Sequence, residues 1–236
     1  MIKKIYLVLF LAMPMAAFSM HIMEGFLPAT WALLWWCVMI PVIVWGTKRI
    51  TATCKGNANA MLLLALAGAY TFILSALKLP SLTGSCSHPT GMGLGTLLFG
   101  PVSISIVGTI VLLFQAILLA HGGITTLGAN SFSMAFAGPV VTWVLFKISR
   151  QAKINESFSI FLSSSVGSLA TYCVTAFQLA LAHPAEVGGV GASFLKFFMV
   201  FAPTQLPISI IEGVLTVAVV RSVKKYHTFD VGYLRF

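Results

Sequence analysis

Long apolar runs, and no sustained alternation of polar and apolar positions, organise this chain. The runs lie at Trp31 to Trp45, Ala60 to Leu77, Met134 to Ile148, Phe158 to Ala182 and Phe197 to Val220, with a longer stretch from Met92 to Ala120 between the second and third. Apolar runs of this kind predict membrane-spanning helices, whereas a barrel strand would alternate over about ten residues. An earlier run, Ile5 to Leu11, is of another type. It follows Lys3 and Lys4, is short, and is succeeded by Pro14 and by the small residues Ala17 and Ser19. That order is expected of an export signal cut after Ser19. The domain reading is therefore a signal peptide at 1–19 and one polytopic transmembrane domain at 20–236.

The stretch Met92 to Ala120 is too long for one ordinary span and short for two, which need about 40 residues. Gly100-Pro101 divides it, and charge decides the count. The segment carrying Lys147, Arg150 and Lys153 falls on the same side as Lys48, Arg49 and Lys55 only if the stretch crosses twice: a short Gly-rich span with Gly91, Gly93 and Gly95, then Pro101 to Ala120. Arg221, Lys224, Lys225 and Arg235 then share that side. The expected fold is an all-α integral membrane protein of about seven transmembrane helices, one short, with the N-terminus outside and the C-terminus inside. Trp31, Trp35 and Trp36 would form an aromatic belt at the outer end of the first span.

Composition agrees. Hydrophobic residues make up 58% of the 236 and charged residues 8%, against about 25% in a soluble domain; mean hydropathy is +0.99. The formal charge of +9, to which Lys3 and Lys4 contribute two, reads as membrane topology rather than nucleic-acid binding. Of four cysteines only Cys86 is expected to face outward, so no exported disulfide is expected.

Cleavage after Ser19 would leave Met20-His21 as a free terminus. Its amine, the deprotonated amide of His21 and the His21 imidazole form fused chelate rings: three nitrogens in a plane and one open position. A tetragonal nitrogen set suits Ni(II), Cu(II) or low-spin Co(II) better than Zn(II). Without cleavage the amine is lost. His21, His88, His121 and His183 all fall on the outer side, and His88 is the best fourth ligand because its Gly/Ser/Pro/Thr-rich loop is able to fold over an opening. Glu24, Ser85, Ser87, Thr125 and Asn130 are candidates to support the ligands, and His121 is expected in the same supporting role. Cys86 is expected to pack in its loop. Glu212, inside the last span, is expected to make a structural hydrogen bond beside a helix break at Pro207. Ala65 and Ala69, with Gly68, give a smooth helix face for a partner helix.

Two segments carry a family likeness: Met20-His21-Ile22-Met23-Glu24-Gly25-Phe26-Leu27-Pro28, and Gly84-Ser85-Cys86-Ser87-His88-Pro89-Thr90-Gly91. Together with the segments His121 to Asn130 and Pro207 to Gly213, they resemble the cobalt-specific membrane component of energy-coupling-factor importers. A nickel-binding sister group shares the Met-His start but more often has Pro and Asp where this chain has Met23 and Glu24. The resemblance implies cobalt(II) as transported substrate, with nickel(II) the alternative, and a planar site of Met20, His21 and His88. It also implies a transmembrane coupling protein, cytoplasmic ATPases and a small accessory membrane protein as partners in the inner membrane. The chain has no phosphate-binding Gly-x-x-x-x-Gly-Lys-Ser/Thr loop, so energy would come from a partner. An intramembrane metalloenzyme lacks its usual signs, having no His-Glu-x-x-His helix and few carboxylates. A purely structural membrane protein would leave the Met-His start and the His88 loop as coincidence.

Overall fold

The computed structural model describes residues 21–80 and 86–226, so the signal segment, Met20, Ser85 and His227 lie outside the described residues. Six helices are long and apolar enough to cross a membrane. They are α1 (Ala29–Cys54), α2 (Ala58–Ala76), α4 (Pro101–Leu119), α5 (Leu127–Gln151), α6 (Glu156–Ala182) and α7 (Gly189–Tyr226). A seventh, α3 (Met92–Phe99), has eight residues, and β1 (Leu79–Pro80) pairs with β2 (Cys86–Ser87) as a two-residue antiparallel ribbon.

The short helix shows how residues 88–99 traverse the bundle. His88 lies beside His121, just past the end of α4, while Gly100 caps its start. Those twelve residues therefore run the length of a nineteen-residue helix, about 28 Å. Eight helical residues rise only about 12 Å; the extended segment His88 to Gly91 covers the rest. Irregular backbone at membrane depth is stable only where protein covers it, and every residue from Ser87 to Gly100 is buried. The glycines make this possible. A Cβ on Gly91, at φ +69°, would sit 2.7 Å from the Thr71 Cα, and one on Gly93 would sit 2.7 Å from the Ser164 hydroxyl.

The backbone groups of this segment are satisfied by Glu212 of α7. Its carboxylate accepts from the Thr90 amide (2.8 Å), the Gly91 amide (2.8 Å), the Thr90 hydroxyl (2.6 Å) and the Ser168 hydroxyl (2.7 Å). An anion thus caps the N-terminus of α3. This is the structural hydrogen bond expected of Glu212. The expected helix break is absent: α7 continues through Pro203 and Pro207. A proline ring removes one donor but does not end a helix whose neighbours hold it.

The aromatic belt is corrected as well. Trp35 is buried against Phe132, and Trp31 and Trp36 pack on the same core, because α1 turns these rings toward α5. Asn130, read as a loop residue, belongs to the first turn of α5, which passes through a π-helical segment at Ser131–Ala137. The α1 helix also runs to Cys54, past the expected Trp45, so Lys48 and Arg49 are helical.

Charge divides the bundle. Lys48, Arg49, Lys55, Lys147, Arg150, Lys153, Arg221 and Lys224 lie at one end, where Lys224 pairs with Glu156. The other end carries His21, His88, His121 and His183. On the flank, α1, α2 and α4 leave an apolar groove of about 770 Å³ that includes Ala65, Gly68 and Ala69.

Candidate metal centre

At the histidine end, residues 21–28 form a strap across the bundle. Ile22 and Leu27 are buried anchors. The backbone of Ile22 is read like a strand partner: its amide donates to Asn130 Oδ1 (2.8 Å), and its carbonyl accepts from Asn130 Nδ2 (3.0 Å) and the Thr126 hydroxyl (2.6 Å). Further along, the Glu24 carboxylate accepts from the hydroxyl and the amide of Thr125, and the His183 Nε2 bonds the Phe26 carbonyl at 2.8 Å. The Thr125 hydroxyl and amide hold the Glu24 carboxyl below its ordinary range.

Close approach requires glycine on the facing loop. A Cβ on Gly123 would lie 2.6 Å from the Glu24 Cα, and one on Gly122, at φ +86°, 3.3 Å from the His21 Cβ. The His121-Gly122-Gly123 sequence thus places one histidine and two gaps where the strap lies down.

The result is a cluster of three buried imidazoles, His21, His88 and His121, with one nitrogen from each within 4.8 Å of the others. Ring centroids are 4.5 Å apart for His21 and His121, 4.7 Å for His21 and His88, and 5.1 Å for His88 and His121, all edge to face. Burial pushes His121 down to about 3 and His21 well below its ordinary value, with the neighbouring imidazoles adding to the effect on His21. Neutral imidazole is the ligating form.

Hydrogen bonds aim the nitrogens. The His88 Nδ1 faces the Pro89 carbonyl at 2.9 Å, which can only accept, so the proton is on Nδ1 and the lone pair on Nε2. The Nε2 atom is buried and has no hydrogen-bond partner. The backbone of His88 is fixed by Tyr172, whose hydroxyl donates to its carbonyl (2.7 Å) and accepts from its amide (3.3 Å). The His21 Nε2 faces Gln115 Oε1 at 3.3 Å. A buried lone pair with no proton to accept, beside two more neutral imidazoles, is the chemistry of a metal site.

The structure thus brings His21, His88 and His121 together, and puts His121 as close to His21 as His88 is. Asn130 bonds the strap backbone at Ile22, and Glu24, within the strap, bonds Thr125. Ser87 turns away, its hydroxyl 2.9 Å from that of Thr204 on α7. Sequence reading passed over Gln115, Ser75, Thr126 and Tyr172. Gln115 carried a usable signal, as an amide in the middle of an apolar run; the others are unremarkable until folded.

Comparison with known proteins follows the same direction. A family model described as a cobalt uptake substrate-specific transmembrane region matches residues 21–228. The cobalt transport protein CbiM of Moorella thermoacetica is 55% identical over 234 residues, covering 97% of this chain and 90% of that protein. The CbiM of Nostoc sp. is 53% identical over 219 residues, covering 93% and 84%. Two crystal structures of transition metal transporters superpose with TM-scores of 0.75. One, truncated, is 28% identical and covers 88% of this chain and 99% of its own; the other is 27% identical and covers 90% and 96%.

Proposed function

The chain belongs to the family of cobalt uptake substrate-specific transmembrane regions, and from that premise we propose that it is the substrate-binding subunit of an ATP-driven, energy-coupling-factor-type cobalt(II) importer. It is a multi-pass protein of the inner membrane. The metal is cargo, held at the histidine end after cleavage before Met20. The ligands are the Met20 amine, the His21 amide and imidazole, and the His88 imidazole. The observation that carries this reading is the His88 Nε2: buried, lacking a proton, without a hydrogen-bond partner, and pointed among neutral imidazoles.

The positive residues at the opposite end support a cytoplasmic position for that end, so the histidine end would receive metal from outside. The sequence has no Gly-x-x-x-x-Gly-Lys-Ser/Thr phosphate loop, so the energy for import would come from a partner. Cytoplasmic ATPases, a transmembrane coupling protein and a small accessory membrane protein complete the importer, which supplies cobalamin biosynthesis. The groove with Ala65, Gly68 and Ala69 offers a membrane-embedded face for a partner helix.

The test is intact-mass analysis and metal titration of the purified protein. The expected result is a chain beginning at Met20 that binds one cobalt(II), and a large loss of affinity in His88→Ala. A chain beginning at Met1, or one that retains neither cobalt nor nickel, overturns the reading. The close three-imidazole cluster favours a second geometry, a three-histidine tetrahedral site, which suits Zn(II). Visible absorption of the cobalt form separates the two: tetrahedral Co(II) absorbs intensely, and a planar low-spin site does not.

A further inference from the structure

Resting on the metal-binding reading above, we propose that Gln115 is a positioning residue that selects which nitrogen of His21 meets the metal, and thereby which metals the site prefers. The argument is a chain of hydrogen bonds whose direction can be fixed link by link. It begins at the Thr71 backbone carbonyl on α2, which can only accept. The Ser75 hydroxyl donates to it at 2.5 Å. A hydroxyl has one proton, so the Ser75 oxygen must act as acceptor toward Gln115, whose amide nitrogen lies 2.6 Å away. That assigns the Gln115 side chain: nitrogen toward Ser75, oxygen toward His21. The oxygen faces the His21 Nε2 at 3.3 Å. A carbonyl oxygen has nothing to donate, so Nε2 carries the proton and Nδ1 keeps the lone pair.

The choice of nitrogen sets the chelate. Nδ1 closes a six-membered ring with the amide nitrogen of the same residue and the metal, lying flat beside the five-membered ring that the terminal amine closes. Nε2 points away from its own backbone and cannot close such a ring; it serves only as an isolated imidazole ligand. A protonated Nε2 therefore commits the site to planar nitrogen coordination, which suits cobalt, nickel or copper. The opposite tautomer turns it toward an open cluster of three imidazoles, which suits zinc. Gln115 and Ser75 are fully buried, so bulk solvent does not reach these bonds.

The chain also reaches beyond the metal. The Thr71 hydroxyl donates to the Gly91 carbonyl at 2.9 Å, and the Gly91 amide donates to Glu212. The two residues that orient Gln115 therefore sit on the turn of α2 that holds the His88 segment in place. Two ligands from distant parts of the chain are set by one turn of α2.

The experiment uses the full-length, membrane-extracted protein with 15N-labelled histidine, in the parent and in Gln115→Met, Gln115→Glu and Ser75→Ala. Metal-free protein is examined by nitrogen NMR, and cobalt against zinc is measured by competition. The parent should show His21 with the proton on Nε2. Gln115→Glu, which keeps an acceptor toward the ring, should retain that tautomer. Gln115→Met should give a mixture, and its preference for cobalt over zinc should fall by about tenfold or more, the usual cost of losing a group that orients a metal-ligating imidazole. Ser75→Ala, which frees the amide to flip while changing little volume, should shift both readouts the same way and keeps the test decisive if Gln115→Met is not recovered folded. A parent that binds both metals but carries the His21 proton on Nδ1, or a folded variant set with unchanged tautomer and unchanged preference, overturns this inference alone. A parent that binds neither cobalt nor nickel sinks the functional reading and this inference with it.

Discussion

Glu24 and Glu212 make the same clasp in two different places. Each accepts from both the amide and the hydroxyl of one threonine, Thr125 for Glu24 and Thr90 for Glu212. Each thereby pins a segment that carries a histidine of the cluster. Glu24 does this in the open, on the exposed side of the strap. Glu212 does it in the interior and takes two further donors, the Gly91 amide and the Ser168 hydroxyl. The difference is one of alternatives. Water can replace Thr125 around an exposed carboxylate, so that clasp can open and close. Thr90, Gly91 and Glu212 are buried from bulk solvent, so the inner clasp is part of the fold. On the proposed function, a strap free to open over a fixed floor would let the site load metal from one side.

Breaking the inner clasp should have the largest effect. Glu212→Ala strands four buried donors, each costing about 1–3 kcal/mol, against a total stability of about 5–15 kcal/mol. The expected outcome is failure to recover a monodisperse folded protein from detergent, with Glu212→Gln, which keeps an acceptor, recovered in part. Thermal unfolding of Glu212→Ala close to that of the parent would show that the carboxylate is not what holds the His88 segment.

Lifting the strap should come next. Gly123→Ala puts a methyl group 2.6 Å from the Glu24 Cα, which backbone cannot tolerate, while no helix is touched. Metal affinity should fall by tenfold or more, and proteolysis within residues 21–28 should accelerate, with the helical content of the parent retained. An unchanged titration would mean that the strap need not lie on this loop.

Acid should act on the two regions in sequence. His21 and His121 have folded pKa values below the unfolded 6.5, so the unfolded chain binds more protons as pH falls. Stability present above pH 6.5 is lost progressively down to about 3 for His121. The Glu24 carboxyl is also held low, so its clasp persists above about 4.5 and weakens only below it. Unfolding of the metal-free protein followed against pH should show the histidine-linked loss beginning first. Metal affinity should fall over the same range.

The smallest effect belongs to the outer clasp itself. Glu24→Gln removes charge but keeps one acceptor at an exposed position, where such contacts are worth about 0–1 kcal/mol. Thermal stability should be nearly unchanged, and metal dissociation should quicken by a few-fold in stopped-flow exchange. A loss as large as that of Gly123→Ala would make the charge, not the fit of the strap, the main hold.

The sequence by itself determined the membrane class and the number and order of the spans. Lipid gives apolar length and loop charge a direct meaning, and the two tests agree without knowledge of packing. It also brought forward His21, as the second residue of the expected mature terminus, and His88, in a Gly/Ser/Pro/Thr-rich loop. Only tertiary structure decided the rest. Trp35 points inward because α1 faces α5, and no composition rule fixes how a spanning helix is rotated. Asn130 opens a helix because its side chain is held by the backbone of Ile22, 108 residues away in sequence. His121 joins the cluster because Gly122 and Gly123 let the strap come within contact of it. Gln115 was one amide in an apolar run until Ser75, on a different helix, gave its two ends a direction. Spacing along a chain records local geometry, whereas the direction of a hydrogen bond depends on which group stands opposite, and that is known only when the helices are packed.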